Sequence, residues 1–184
     1  MISDMYICSM KRLFVLYIGL VSIFTAFALG QQTSKKPTLV VGIQVSGLRE
    51  DYLNMFMDEL GAQGFKRLMS EGTTFVGLRY PYHYAGEAAD VASLSTGATP
   101  YYHGICTNAF YNAKSYKMQS FLLDKTVQGV SGTENYSAAQ LICTTVADEL
   151  NEYTFGRAKI YSIAYNAENA IYSIGHSGTP LWID

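Results

Sequence analysis

The residues from Tyr82 to Asn108, YHYAGEAADVASLSTGATPYYHGICTN, have the types and spacing best suited to chemistry in this chain. Gly86-Glu87 predicts the start of a short helix that stops at Gly97. A helix N-terminus presents unpaired N–H groups and a partial positive charge, which favour a phosphate or a nucleophile that handles one. The side chain at this end is Glu87, which is itself an anion and does not bind phosphate.

A serine nucleophile assisted by a histidine is a second chemistry that the residue types allow. Ser46 follows an apolar run, and the three histidines are His83, His103 and His176. Val45-Ser46-Gly47 lacks the leading glycine of a nucleophile elbow. No histidine has an orienting acid that the sequence reveals. His176 is expected to cap or to bond locally in a loop, so this hydrolase is the minor alternative.

Four acids on predicted helices are candidates for catalytic carboxylates: Asp51, Asp90, Asp148 and Glu149. Each falls at a position where a solvated surface charge is the simplest interpretation. Arg49 is expected to pair with a neighbouring acid, at little gain in stability.

Predicted strands and helices alternate along the chain. The strands are the apolar run Thr38–Val45, then Thr73–Tyr80, a third within Arg157–Tyr165, and the start of another at Leu181–Asp184. The helices are Arg49–Leu60, Phe65–Ser70 closed by Gly72, the one opening at Glu87, and Ala138–Asn151 capped by Ser137; Ala109–Val130 is expected to be a surface hairpin or loop and Asn166–Ala170 a turn or short helix.

This alternation is typical of the α/β class, with a layered, mostly parallel sheet and helices on both faces. Ligands of such sheets bind at the carboxyl ends of the strands. That rule selects Ser46, the loop around Glu87, and His176 as the region of interest.

The N-terminus resembles an export signal. Lys11-Arg12 precedes the apolar run Leu13–Gly30, so we predict a signal peptide over residues 1–30, with cleavage after Gly30 or Ala28, and a linker over residues 31–37. An uncleaved membrane anchor is the alternative. The mature part is then periplasmic or extracellular, with no membrane association after cleavage. A net charge of −2 shows no basic surplus, so no nucleic-acid partner is expected.

Two cysteines remain after the predicted signal, Cys106 and Cys143. In an oxidising compartment they could pair. Because both have apolar neighbours, two thiols buried in a core are at least as good an interpretation.

Four stretches resemble the opening of the alkaline phosphatase superfamily: VVGIQVSGLREDYL, GFKRLMSEGTTF, ASLSTGATPYYHGICTNAFY and GVSGTENYSAAQLICTTVADEL. The nearest branch is that of type I phosphodiesterases and nucleotide pyrophosphatases, including exported bacterial phosphatases. STGATPYYHGI is the most specific piece, and GHSGTPLWID also fits. The resemblance covers residues 38–184 and implies the N-terminal portion of an incomplete alkaline-phosphatase-like domain.

The resemblance implies a chemistry and its residues. The family holds two zinc ions and uses a Thr or Ser nucleophile to form a phospho-enzyme. Ser46 stands where an Asp of the family binds metal, and Glu87 stands at the nucleophile position. Asn108 matches an Asn that contacts the phosphoryl group. In the resembling fold His103 lies on a turn, which implies a structural role for it. The SAAQL stretch at 137–141 carries none of the basic residues that some members have there.

These substitutions predict a degenerate site in a fragment of a longer chain, acting as a binding or scaffold domain. No cofactor is then expected for this chain, and its partner is a phosphate ester, no small molecule, or an unknown protein. Glu87 is predicted to occupy the former phosphate site; the alternative is a solvated first-turn acid. The other function is a zinc-dependent phosphomonoesterase or phosphodiesterase in the full-length form.

Overall fold

The computed structural model describes residues 37–83, 86–130, 132 and 134–183. The predicted signal peptide, residues 1–30, and linker residues 31–36 lie outside the described residues. The chain divides into two units, residues 1–73 and 74–184, which are described one at a time. A bilayer-spanning helix, which must be long and continuously apolar, does not occur in the described part of the chain.

The first unit contains two short helices, α1 (Glu50–Met55) and α2 (Phe65–Glu71), neither with a buried residue. Helix α1 is shorter than the predicted Arg49–Leu60, because the chain continues from Phe56 as turns. Helix α2 ends at Gly72 as predicted. Arg49 pairs with Asp51 at 2.6 Å, between two exposed side chains, so the pair contributes little.

The predicted strands at residues 38–45 and 73–80 are not formed, and this part of the prediction is wrong. Within the described ranges, neither segment pairs with another strand. Their apolar side chains stay exposed, as Ile43 and Leu78 do. Apolar and β-branched residues favour a buried strand, but a strand also needs a neighbour to complete its backbone hydrogen bonds.

The second unit contains the remaining elements. In chain order they are α3 (Glu87–Thr96), α4 (Pro100–His103), β1 (Ala109–Asn112), β2 (Lys117–Ser120), α5 (Val146–Tyr153), β3 (Tyr161–Ala164), α6 (Ala167–Ile174) and β4 (Thr179–Trp182).

Strands β1 and β2 form the hairpin that was predicted as one option for residues 109–130. They pair antiparallel, with Ala109 opposite Ser120 and Asn112 opposite Lys117. The Asn112 side chain accepts the N–H of Lys114 at 2.9 Å, which stabilises the turn between the strands.

Strands β3 and β4 pair in parallel, with Tyr161 opposite Thr179 and Ala164 opposite Trp182. Helix α6 connects them, so the three elements form a β–α–β unit. The predicted turn or short helix at Asn166–Ala170 is therefore a longer helix. The α/β class and the parallel pairing are confirmed, although the described strands form two separate two-stranded sheets.

The predicted helix over Ala138–Asn151 begins eight residues later than expected, at Val146. The Ser137 hydroxyl donates to Asp124 at 2.6 Å and also accepts the N–H of Ala139, which makes a turn instead of a helix start. Thr145 is the true N-cap, because its side chain and that of Asp148 form a reciprocal capping box.

The core of the second unit lies between α3 and α6. Alanines on both helices let them approach closely, and the Ser95 hydroxyl bonds the Tyr172 carbonyl at 2.6 Å. The buried cluster consists of Ala88, Val91, Ala92, Ile105, Leu122, Ala138, Leu141, Ala167, Ile171 and Tyr172. This packing fixes the first turn of α3 against the first turn of α6.

Candidate functional site

Helix α3 opens and closes on glycines, as its sequence predicts. Gly97 ends it in the left-handed conformation with φ of 68°, and Gly86 precedes it with φ of 124°. A Cβ on Gly86 would also lie 3.1 Å from the Asn108 side chain. Glycine therefore permits both the backbone conformation and the close approach of residues 107–108 to the helix start.

Glu87 is half-buried at the N-terminus of α3 and bonds to another helix. Its carboxylate accepts a hydrogen bond from Asn169 Nδ2 at 2.6 Å. Asn169 lies in the first turn of α6, and its own N–H donates to the N-cap Asn166 at 2.9 Å. The carboxylate therefore lies between the positive ends of two helices, which favour a negative charge.

Asn108 also faces the start of α3, although its side chain is exposed. Its Oδ1 atom accepts the N–H of Ala88 at 3.1 Å. One of the free N–H groups of the helix is thus satisfied by the protein itself. The structure brings Glu87 and Asn108 to one helix end; their roles in chemistry remain predictions.

Asn169 is the member of this site that sequence reasoning missed. Its Oδ1 atom is buried and has no hydrogen-bond partner within the described residues. The signal in the sequence is Asn166-Ala167-Glu168-Asn169, a helix-start pattern. The pattern predicts a cap, but not that the second Asn would reach Glu87, 82 positions earlier.

Ser46 lies in the first unit, exposed in a turn with Gly47. A neutral hydroxyl supplies neither the charge nor the ligand strength of a carboxylate. Over the described ranges, no three His, Cys, Asp or Glu side chains group in a way that could hold a metal ion. The described residues do not fit the zinc site that the resemblance implies.

His103 does not activate a serine, although it contacts one. It is buried at the end of α4, rather than on a turn, and its Nε2 atom lies 2.9 Å from Ser93 Oγ. The N–H of Ile105 donates to Nδ1 at 3.2 Å. Because Nδ1 is the acceptor, a neutral imidazole carries its proton on Nε2 and donates it to Ser93. It cannot at the same time remove the serine proton.

Asp148 and His176 form a pair that the sequence did not reveal. Asp148 was predicted to be a surface charge, but it is only 8% exposed. It accepts the N–H groups of Thr145 at 2.8 Å and of His176 at 2.9 Å. The His176 ring lies 3.3 Å from the same carboxyl and 3.0 Å from the Leu141 carbonyl. Both ring nitrogens are engaged, but their partners lie 28 and 35 positions earlier in the chain, so the local bonding expected for His176 is wrong.

Asp90 also departs from the surface position predicted for it. It is half-buried, and the Tyr82 hydroxyl donates to its carboxylate at 3.3 Å. Burial raises the pKa of Tyr82, and the Asp90 charge acts in the same direction, whereas a hydrogen bond from Ser93 opposes it. Tyr82 therefore keeps its proton and links Ser93 to Asp90.

The two described cysteines are free thiols. Cys106 is exposed and Cys143 is half-buried, with its thiol 3.4 Å from the Tyr102 carbonyl. The interpretation as two core thiols is wrong, because Cys106 is exposed and Cys143 is only half-buried.

Comparison with known proteins identifies the class. The sequence model of the Type I phosphodiesterase / nucleotide pyrophosphatase family matches residues 40–172. The chain belongs to this family, within the alkaline phosphatase superfamily, and the resemblance stated above is confirmed.

Three individual proteins are similar to this chain in sequence. Alkaline phosphatase PhoV of Synechococcus elongatus is 34% identical over 157 residues, which cover 83% of this chain and 28% of PhoV. Alkaline phosphatase PafA of Elizabethkingia meningoseptica is 32% identical over 154 residues, covering 81% of this chain and 28% of PafA. A calcium-transporting ATPase of Myroides odoratus is 31% identical over 166 residues, covering 88% of this chain and 30% of the ATPase.

The fold agrees with these relatives. The crystal structure of wild-type PafA matches with a TM-score of 0.77 at 30% identity, covering 83% of this chain and 30% of PafA. A PafA variant with four substitutions gives the same TM-score. The chain thus spans less than a third of the length of these relatives.

Proposed function

We propose that this chain is an exported alkaline phosphatase/phosphodiesterase-like protein that no longer transfers phosphoryl groups at the α3 site and serves as a binding or scaffold domain. The observation that carries the proposal is the Glu87 carboxylate at the start of α3, bonded to Asn169 at 2.6 Å.

A carboxylate at this place opposes phosphoryl transfer for two reasons. First, it repels the negative charge of a phosphate ester that would approach the same helix end. Second, the helix N-terminus stabilises it by roughly 0.3–1 kcal/mol, and the hydrogen bond from Asn169 adds to this. Both interactions therefore stabilise the Glu87 carboxylate in the position that a phosphate would need.

The assignment of Glu87 to the family's nucleophile position has support from spacing. The four-substitution PafA variant changes a threonine and an asparagine that are 21 positions apart, and Glu87 and Asn108 are also 21 positions apart. Ser46 at the family's metal position lacks a negative charge, which also favours a site without zinc.

Export is the second part of the proposal. It is supported by the basic pair Lys11-Arg12 and the apolar run that follows, up to Gly30. Cleavage there would leave a periplasmic or extracellular protein.

The test begins with the protein produced from its natural gene. It is supplied with zinc and assayed on p-nitrophenyl phosphate and bis(p-nitrophenyl) phosphate, and its bound zinc is measured by mass spectrometry. We expect no zinc-dependent release of p-nitrophenol and less than one zinc ion per chain. Turnover that is lost in Glu87→Ala would overturn the proposal.

A pair of double variants then tests whether the site has decayed. Glu87→Thr with Ser46→Asp restores a hydroxyl and an acid at the two positions. Glu168→Thr with Ser46→Asp is the matched control, because Glu168 is a half-buried first-turn acid of α6. Zinc-dependent hydrolysis in the first variant but not in the control supports a decayed phosphatase site. Equal behaviour of the two leaves the assignment of Glu87 without support.

A further inference from the structure

The segment from His103 to Asn108 runs along α3 and is joined to it at both ends. At one end, His103 Nε2 lies 2.9 Å from Ser93 Oγ. At the other, Asn108 Oδ1 accepts the N–H of Ala88 at 3.1 Å. Ile105, between them, is fully buried in the core. The segment therefore positions Asn108 at the helix start where Glu87 lies.

The imidazole of His103 provides the hydrogen-bond acceptor for a buried backbone N–H of this segment. The N–H of Ile105 is buried with its side chain, and its acceptor is His103 Nδ1 at 3.2 Å. An imidazolium has a proton on both nitrogens and cannot accept. Protonation would place two N–H groups against each other and leave the Ile105 donor unsatisfied, which is unfavourable in a buried place.

The hydrogen bonds around His103 have a fixed direction. Ile105 donates to Nδ1, Nε2 donates to Ser93, Ser93 bonds to Tyr82, and Tyr82 donates to Asp90. A backbone donor at one end and a carboxylate at the other favour this order. The order holds the imidazole as the neutral Nε2–H tautomer.

We propose that His103 is an acid-sensitive strap, which holds residues 104–108 and the Asn108 side chain against α3 while neutral and releases them when protonated. The strap would make the site of the proposed function pH-dependent, so its relevance rests on that function. The contacts of His103 do not depend on the proposed function.

The described elements that pack near His103 carry titratable groups. From α3 the acids are Asp90, reached through Tyr82, and Glu87, which bonds to Asn169. From residues 137–145 the titratable group is the Cys143 thiol, and the Ile142 N–H donates to the His103 carbonyl.

Burial lowers the pKa of His103 below its ordinary value of 6.5, and a hydrogen bond with its own backbone acts in the opposite direction. The stabilisation by the hydrogen bonds of the neutral imidazole is therefore fully present above pH 6.5, and it is lost as the pH falls through the lowered pKa.

The test on the unmodified chain uses NMR. Long-range ¹⁵N–¹H spectra identify the His103 tautomer at neutral pH, and hydrogen exchange of the Ile105 amide is followed from pH 7.5 down to the onset of global unfolding. We expect the Nε2–H tautomer. We also expect Ile105 protection, corrected for intrinsic exchange, to fall at least about tenfold below the ordinary histidine range, together with a shift of the Asn108 side-chain amide. An Nδ1–H tautomer, or protection that stays constant until unfolding, would overturn the strap.

A matched variant removes the titration but keeps the acceptor. In His103→Asn the amide oxygen can replace Nδ1 at every pH, so the acid step at Ile105 should disappear, whereas the exposed His83→Asn should keep it. A step of equal size in both variants contradicts the proposal. If His103→Asn does not fold, the tautomer and exchange of the unmodified chain decide. Phosphatase activity would refute the proposed function without affecting these readings.

Discussion

Removing the Asp148 carboxylate should destabilise the second unit more than any other single change to an acid of α5. Asp148 is 8% exposed and accepts hydrogen bonds from two backbone N–H groups, those of Thr145 and His176. Thr145 is fully buried, so water cannot replace the lost acceptor in Asp148→Ala.

The magnitude follows from these contacts. The Thr145 N–H is left without an acceptor in a fully buried residue, which costs about 1–3 kcal/mol, and the Thr145 hydroxyl loses a hydrogen bond worth about 1 kcal/mol. His176 is exposed, so water can replace the acceptor of its N–H. We therefore expect Asp148→Ala to lower the free energy of unfolding by about 2–4 kcal/mol, a large share of the usual stability of a domain.

The assay is urea unfolding at pH 7, followed by the fluorescence of Trp182. This residue is the chain's one tryptophan, and it packs against the core with its ring 6.5 Å from that of Tyr136. Glu149→Ala is the control, because Glu149 is the next residue of the same helix and its carboxylate accepts a hydrogen bond from the exposed Thr144 hydroxyl at 2.7 Å. Equal losses of stability in the two variants would show that the buried donors do not determine the cost.

The pH dependence of this loss has a defined sign. Burial acts to raise the pKa of Asp148, but the Thr145 N–H, the hydroxyls of Ser177 and Thr145, and His176 together hold it below 3.8. The carboxylate therefore stabilises the fold above pH 3.8, and its contribution disappears as the pH falls through the lowered pKa. The difference between the native chain and Asp148→Ala should narrow in acid.

Two further changes test the packing of the second unit. Tyr172→Phe should leave the unfolding free energy unchanged or raise it by about 1 kcal/mol, because the buried Tyr172 hydroxyl has no partner within the described residues; a clear loss in urea unfolding would contradict this. Gly175→Ala should cost at least about 2 kcal/mol, because φ is 62° and a Cβ would crowd Asp148 and Thr145. Gly97→Ala, with φ of 68°, ψ of 11° and open space, gives the cost of an ordinary left-handed backbone without crowding. Gly175, with ψ of −126°, has the less favourable backbone, so a loss equal to that of Gly97→Ala in thermal or urea unfolding would exclude the crowding.

Helix α3 shows how much local sequence can predict. Its glycines at both ends, Gly86 and Gly97, and its run of alanines predict the bounds of the element from local sequence alone. The parallel strands around α6 were also predicted from apolar and turn residues. Residues 38–45 show the limit, because their strand preference depends on a neighbour that the local sequence does not contain.

The contacts of the candidate site could be predicted only in part. A helix start with Glu87 and a nearby Asn108 was visible in the sequence. Asn169 and the Asp148–His176 pair were not, because each depends on packing between elements that are far apart in the chain. Thr145 and Asp148 match the pattern of a helix cap, and so does Ser137. In the structure the Ser137 hydroxyl bonds to Asp124 instead, and the helix begins after Thr145.

The packing of α3 on α6 also affects how the second unit folds. Glu87 reaches Asn169 across 82 positions, and Ser95 reaches the Tyr172 carbonyl across 77. Contacts of such long range require a large loop to close before they can stabilise anything, which slows folding. The hairpin of β1 and β2 lies within that loop and can form first, whereas the two helix starts around Glu87 can meet only late in folding.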